Sequence, residues 1–248
     1  MSALVRAELL KRRSTRADLW VLGIMLALIL FAVLLHGFAL QADALADRDG
    51  QMHVFGWGGL GALFAGLAGA ISMTAELRYG TIRSTFLVTP RRERVVAAKA
   101  AAAALVGIAF GLVAEVCVIG VGDAALRARG IPVRLDTGDY AQLVAGGVVA
   151  AALWGPIGLG LGALVRNQVA TVVGLFAWLL FVEGLVFGLL PGAGRLLPGM
   201  AGAAIAGVTT TGEVGHLLAA PAGALLLAAY AVPALAVGAL VTARRDVA

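Results

Sequence analysis

From Leu19 to Leu40 the chain runs 22 residues without an Asp, Glu, Lys or Arg. A helix of that length crosses a hydrocarbon core of ~30 Å. Five more spans follow, at about Val54–Met73, from a start inside Pro90–Ala104 to about Val121, and at Tyr140–Leu164, Val169–Leu190 and Leu217–Val241. Inside a bilayer each segment must satisfy its own backbone hydrogen bonds, so runs of this length are helices. Hydrophobic residues make up 61% of the 248 and charged residues 13%, where a soluble domain carries about 25% charge. A water-soluble globule is excluded, and the expected fold is all-α: a polytopic membrane protein with six transmembrane helices. Its net charge of +5 is concentrated in the segments that set orientation and is no nucleic-acid signal; the expected neighbour of a chain that is almost all membrane is lipid. Cys117 is the single cysteine, which rules out a disulfide framework or a Cys-rich metal site.

The charges between the runs set the expected orientation. Residues 1–18, 76–99, 166 and 244–245 hold 14 of the 19 Lys and Arg. Lys and Arg accumulate in cytoplasmic loops, so both termini are expected in the cytoplasm. Residues 1–18 place Leu4, Val5, Glu8, Leu9 and Arg12 at helical spacing, as in an amphipathic helix lying on the inner face, with Asp18 as cap of the first span. Asp123–Asp139 is expected to form an outer loop, and 166–168 a tight inner turn. Residues 191–216, broken by Pro191, Pro198 and several glycines, suit an outer re-entrant hairpin better than a crossing. Small-residue pairs recur at Gly107/Gly111, Gly158/Gly162 and Gly184/Gly188 and allow close helix approach. Arginine outnumbers lysine 17 to 2 and alanine and glycine abound, a bias that points to a bacterial genome.

The island from Glu76 to Lys99 has an internal grammar of its own. Six of its residues are basic (Arg78, Arg83, Arg91, Arg92, Arg94, Lys99) and only Glu76 and Glu93 oppose them. Gly80 can end a helix. Thr81 can cap a short one with Ile82, Thr85 and Phe86 on one face. Thr89-Pro90 then reads as an N-cap followed by proline at the first helical position. A short amphipathic helix outside the membrane, between two spans, has the shape of a docking surface for a cytoplasmic partner.

No glycine-rich phosphate loop of the GxxxxGK[ST] type occurs, since neither Lys11 nor Lys99 follows a glycine. HExxH and GxSxG are also absent, and His36, His53 and His216 have no metal-ligand spacing. No catalytic residue and no metal site are expected. Two acids fall inside apolar runs, Glu115 and Glu183. A carboxylate there costs ~2.5–3.5 kcal/mol or more, so each must face the bundle, a partner subunit or a wet cavity, or be protonated. Both are candidates for a translocation pathway or gate. The alternative for each is a structural hydrogen bond, or, for Glu115, a place near enough Asp123 to reach water. Arg195 is the cation nearest Glu183 in sequence.

The run AELRYGTIRSTFLVTPRRERVVAAK resembles the loop after the second span in ABC-2-type transporter permeases. There an acidic residue and an arginine precede GT.R, then P..R and a lysine; here the matching positions are Glu76, Gly80, Thr81, Arg83, Pro90, Arg94 and Lys99. The basic N-terminal segment, six spans and a glycine-proline hairpin before the last span extend the likeness over the whole chain. The resemblance implies one transmembrane half of a type V exporter, in the bacterial cytoplasmic membrane. An interface helix (1–18) and a coupling loop (76–94) would dock on a separate ATP-binding subunit, through Glu76, Tyr79, Gly80, Thr81, Arg83, Phe86, Leu87, Pro90 and Arg94. Two permease chains, expected as a homodimer, would work with two ATPase chains. The permease itself would hold no cofactor; ATP and Mg would sit on the partner. Its substrate class would be hydrophobic or amphipathic: a drug, peptide or lipid. A non-transport assembly or regulatory subunit using the same loop, and a secondary transporter, stay open beside it.

Overall fold

The computed structural model of the chain describes residues 1–89, 91–207 and 216–244. Every regular element among them is helical. Helix α1 (Ser2–Thr15) ends at Arg16, whose left-handed backbone (φ 55°) turns the chain directly into α2 (Ala17–Ala39). Asp18 lies inside α2 and makes no capping bond; its carboxylate is taken by Arg12, 3.2 Å away. A short 3-10 turn (Ala42–Leu45) leads to α3 (Arg48–Phe55), capped by Asp47, which accepts from the Gly50 amide at 2.8 Å. A single 3-10 turn at Gly56–Gly59 joins α3 to α4 (Leu60–Arg78), so the two cross as one 31-residue span.

After the short helix α5 (Ile82–Val88) comes α6 (Arg92–Ala128), 37 residues long. At 1.5 Å per residue this is about 55 Å, more than the hydrocarbon core requires, so α6 extends past the membrane. It therefore absorbs part of the expected outer loop: Asp123 and the residues to Ala128 are helical, and only 129–136 connect to α7 (Thr137–Val165). Asp136 starts α7 with a capping box, its side chain and that of Asp139 each accepting the other's amide. The fifth span is α8 (Gln168–Ala177), a π-turn (Trp178–Val182) and α9 (Glu183–Leu189). Two short helices, α10 (Pro191–Gly194) and α11 (Pro198–Ile205), precede α12 (Ala220–Arg244). The expected hairpin's residues 208–215 lie outside the described residues.

The second and fourth spans are the inner pair. In their apolar windows 72% and 61% of residues are buried, against 17% for the fifth and sixth spans and 22% for the first. Glycine makes that pairing possible. A Cβ on Gly158 would collide with the Gly66 carbonyl, and one on Gly69 with the Gly155 carbonyl, so the α4 and α7 backbones touch. The Gly107/Gly111 pair lets α6 close on α7 in the same manner. Gly184 and Gly188, by contrast, face open space, because they sit on the outer surface of the fifth span and not on its seam.

At the end opposite the termini, buried Gln51 staples the connections: its amide donates to the Leu45 and Pro132 carbonyls (3.0 and 2.9 Å) and its oxygen accepts from the Arg134 amide at 2.8 Å. The Arg48 guanidinium closes on Asp139 at 2.6 Å. At the basic end α1, α5, the start of α6 and the end of α12 come together, the last two joined by Arg92 donating to the Thr242 carbonyl at 3.1 Å. Six apolar helices of crossing length in this arrangement define an α-helical, multi-pass membrane protein.

Candidate functional site

Both lysines of the chain meet at the basic end. Helix α1 presents Glu8, Lys11 and Arg12 at i, i+3, i+4, one face of a helix. Glu76 stands in the last turn of α4, and Lys99 two turns into α6. Lys99 Nζ lies 2.7 Å from Glu8 Oε2 and 2.6 Å from Glu76 Oε1. Lys11 Nζ lies 2.7 Å from Glu8 Oε1 and 3.5 Å from Glu76 Oε1. The four charges thus close a ring of alternating sign, Glu8–Lys99–Glu76–Lys11, with no net charge. Lys11 also donates to Thr85 Oγ1 at 3.0 Å, which adds α5 to the joint.

The Lys99 side chain is 1% exposed. Burying one ion costs several kcal/mol, and only good geometry with its counter-ions offsets that cost. Burial would raise the Glu8 carboxyl, but Lys99 and Lys11 outweigh it and hold it below the ordinary glutamate range. Burial would likewise lower the Lys11 ammonium, and Glu8 with Glu76 outweighs it and raises it. Beside the ring, Arg12 is pinned between Asp18 and the Ala68 carbonyl, 3.0 Å away. One carboxylate oxygen of the ring, Glu76 Oε2, is buried with no hydrogen-bond partner among the described residues.

Helix α5 is anchored on its inner face, as its periodicity predicts. Ile82 is fully buried among Met73, Ala103, Leu159 and Ala163, and Phe86 packs on the same cluster. The Arg92 guanidinium lies 5.1 Å from the centre of the Phe86 ring. Phe86 is half-buried against that cluster; the outward apolar pair is Leu87 and Val88, 84% and 85% exposed, with Tyr79 exposed nearby. Val88 was legible from the spacing, since Ile82, Thr85 and Phe86 claim one face and leave 87 and 88 on the other. Gly80 ends the preceding helix with φ +69°. Thr81 precedes α5 but its side chain makes no capping bond. Arg94 is exposed. Pro90 and the Arg83 side chain lie outside the described residues. The expected Thr89-Pro90 start is displaced: α6 begins at Arg92, with Arg91 as its cap residue.

The two intramembrane acids sit far from this joint. Glu115 is 1% exposed and does not reach water, because α6 continues three turns beyond it. Its carboxylate fills a slot between Gly58 and Gly147, where a Cβ on either would collide with it, and Oε2 has no hydrogen-bond partner among the described residues. Glu183 is a fastener. Its Oε1 accepts from Trp178 Nε1 at 2.7 Å and from the Gly199 amide at 3.0 Å, and its Oε2 from the Met200 amide at 3.1 Å. It thereby satisfies two of the free amides at the start of α11, as a capping side chain does. Residues five apart on an α-helix point about 140° from each other; the wider π-turn between Trp178 and Glu183 brings indole and carboxylate to one side. Arg195 is exposed and makes no ion pair with it among the described residues.

Neither a protein-family model nor a curated protein matches the chain.

Proposed function

We propose that this chain is the transmembrane permease subunit of an ATP-binding cassette exporter of the ABC-2 type. It sits in the bacterial cytoplasmic membrane with both termini inside, pairs with a second copy, and exports a hydrophobic or amphipathic substrate. ATP hydrolysis belongs to a separate subunit, two copies per assembly. The observation that carries this assignment is the closed ring of Glu8, Lys99, Glu76 and Lys11, with Thr85 attached. It ties α1, the base of the second and third spans, and α5 into one body. Such a joint passes a push on α5 to the inner spans without dissipating it in loop motion. The exposed Tyr79, Leu87 and Val88 offer the apolar contact on which a cytoplasmic motor would seat. The likeness of Glu76–Lys99 to the family loop points the same way.

The test is purification of the chain from its own cells in mild detergent. An ATPase subunit with a GxxxxGK[ST] loop should accompany it in equal ratio, and the paired substitution Leu87→Asp, Val88→Asp should release that subunit while the permease still reaches the membrane. An ATPase retained undiminished by the double variant, or none in the parent preparation, overturns the assignment.

A further inference from the structure

A second feature of the basic end has nothing to do with α5. Between the α1–α2 corner and α6 lies a groove of about 460 Å³, walled by Leu9, Leu19, Leu105, Val106 and Ala109 and edged by Arg13. That volume lies within the ~300–1,000 Å³ of small-molecule sites. Arg12 and Asp18 also border it, but they neutralise each other. Arg13 is exposed and has no counter-ion among the described residues, and the same holds for Arg6, two turns earlier on the same stripe of α1. Leu10, on that stripe too, is 56% exposed, and Leu19 65%. The apolar wall on α6 begins six residues beyond Lys99 and runs toward the middle of the membrane, away from the charge.

The groove therefore has one unneutralised guanidinium, Arg13, at the level where a membrane span starts, and an apolar slot along the span. We infer that it holds an anionic phospholipid, the phosphodiester on Arg13 and one acyl chain against Leu105, Val106 and Ala109. Charge decides the headgroup: the rim offers Arg13, and among its lining residues no acid is left to pair a zwitterion's ammonium group, since Asp18 is already taken by Arg12. Basic residues beside a span attract anionic lipid through that same term. Neither a second permease chain nor an ATPase subunit is needed for this site.

Native mass spectrometry of the full chain, purified in mild detergent, tests it with equal amounts of phosphatidylglycerol and phosphatidylcholine of matched chains, and with inorganic phosphate as a third arm. The parent should retain phosphatidylglycerol in preference, and phosphate should not displace it. A basic residue near the surface contributes about fivefold to such binding, so Arg13→Gln should weaken retention by about that factor. Arg91→Gln, which removes the same charge at the same end but away from the groove, should leave it unchanged. Ala109→Phe, which fills the slot from an exposed position, should lower retention while the melting temperature holds. Equal losses from Arg13→Gln and Arg91→Gln would mean diffuse attraction and overturn the site. So would equal retention of the two lipids by the parent, or displacement by phosphate alone.

Discussion

A chain that uses arginine 17 times and lysine twice places both lysines in one ring. An ammonium is compact and directs three donors independently; a guanidinium is a planar fork. Lys99, held at 2.6 and 2.7 Å by two carboxylates in a nearly closed site, has the geometry of the first kind. Lys99→Met leaves Glu8 and Glu76 buried with one cation between them and should cost about 3–5 kcal/mol, read as a fall in thermal unfolding temperature. Lys99→Arg should also destabilise although it keeps the charge. The ring sets a pH window. Glu8 is held below its ordinary value, so its contribution is complete above the ordinary glutamate range and is lost as pH falls through the lowered value. Lys11 is raised, so its contribution is complete below the ordinary lysine value and lost as pH rises through the raised one. Unfolding temperature should be flat between these limits and drop in acid, and Glu8→Gln should flatten the acid limb. Glu183 gives a second expectation. Gln keeps an acceptor for the Trp178 and Gly199 donors and should lose only about 1 kcal/mol with the Met200 bond, whereas Leu strands three donors at about 1–3 kcal/mol each. Equal melting of Glu183→Gln and Glu183→Leu would remove it as the fastener of α11.

Among the elements, α5 divides its residues sharply. Ile82 belongs to the core and Leu87 and Val88 do not. Ile82→Ala should destabilise the isolated chain by about 2–5 kcal/mol, while Leu87→Ala should leave its melting unchanged. A comparable loss from both would mean that α5 does not sit on Met73 and Leu159 as described. The inner pairing of α4 and α7 follows from glycines whose hydrogens alone fit against the opposing carbonyls. The fifth span, whose Gly184 and Gly188 face open space, has no such seam and stays at the periphery.

For the whole molecule, the uneven distribution of Lys and Arg fixes an expectation about sidedness. With Cys117 first replaced by Ala, single cysteines at Ser84 and Thr137 should react with an impermeant thiol reagent from opposite faces of intact cells, Thr137 from outside. The two positions lie at opposite ends of the bundle, one beside α5 and the other at the start of α7. Reaction of both from outside would overturn the six-span topology.

The six spans, their order and the short helix between the second and third were legible in the sequence, because a bilayer admits apolar segments of only one length and kind and a two-turn helix declares its buried face by spacing. The ends of the spans were less so. Asp123 and its neighbours are polar but also good enough helix residues, once α7 begins late at Thr137, to prolong α6. Only the tertiary structure brought Glu8, Lys11, Glu76 and Lys99 together, since 91 residues separate Glu8 from Lys99 and no local rule pairs them. The roles of Glu115 and Glu183 were also decided there. Hydropathy shows that a carboxylate in a span needs a partner; whether that partner is a glycine slot or the free amides of another helix depends on which backbones pack within reach.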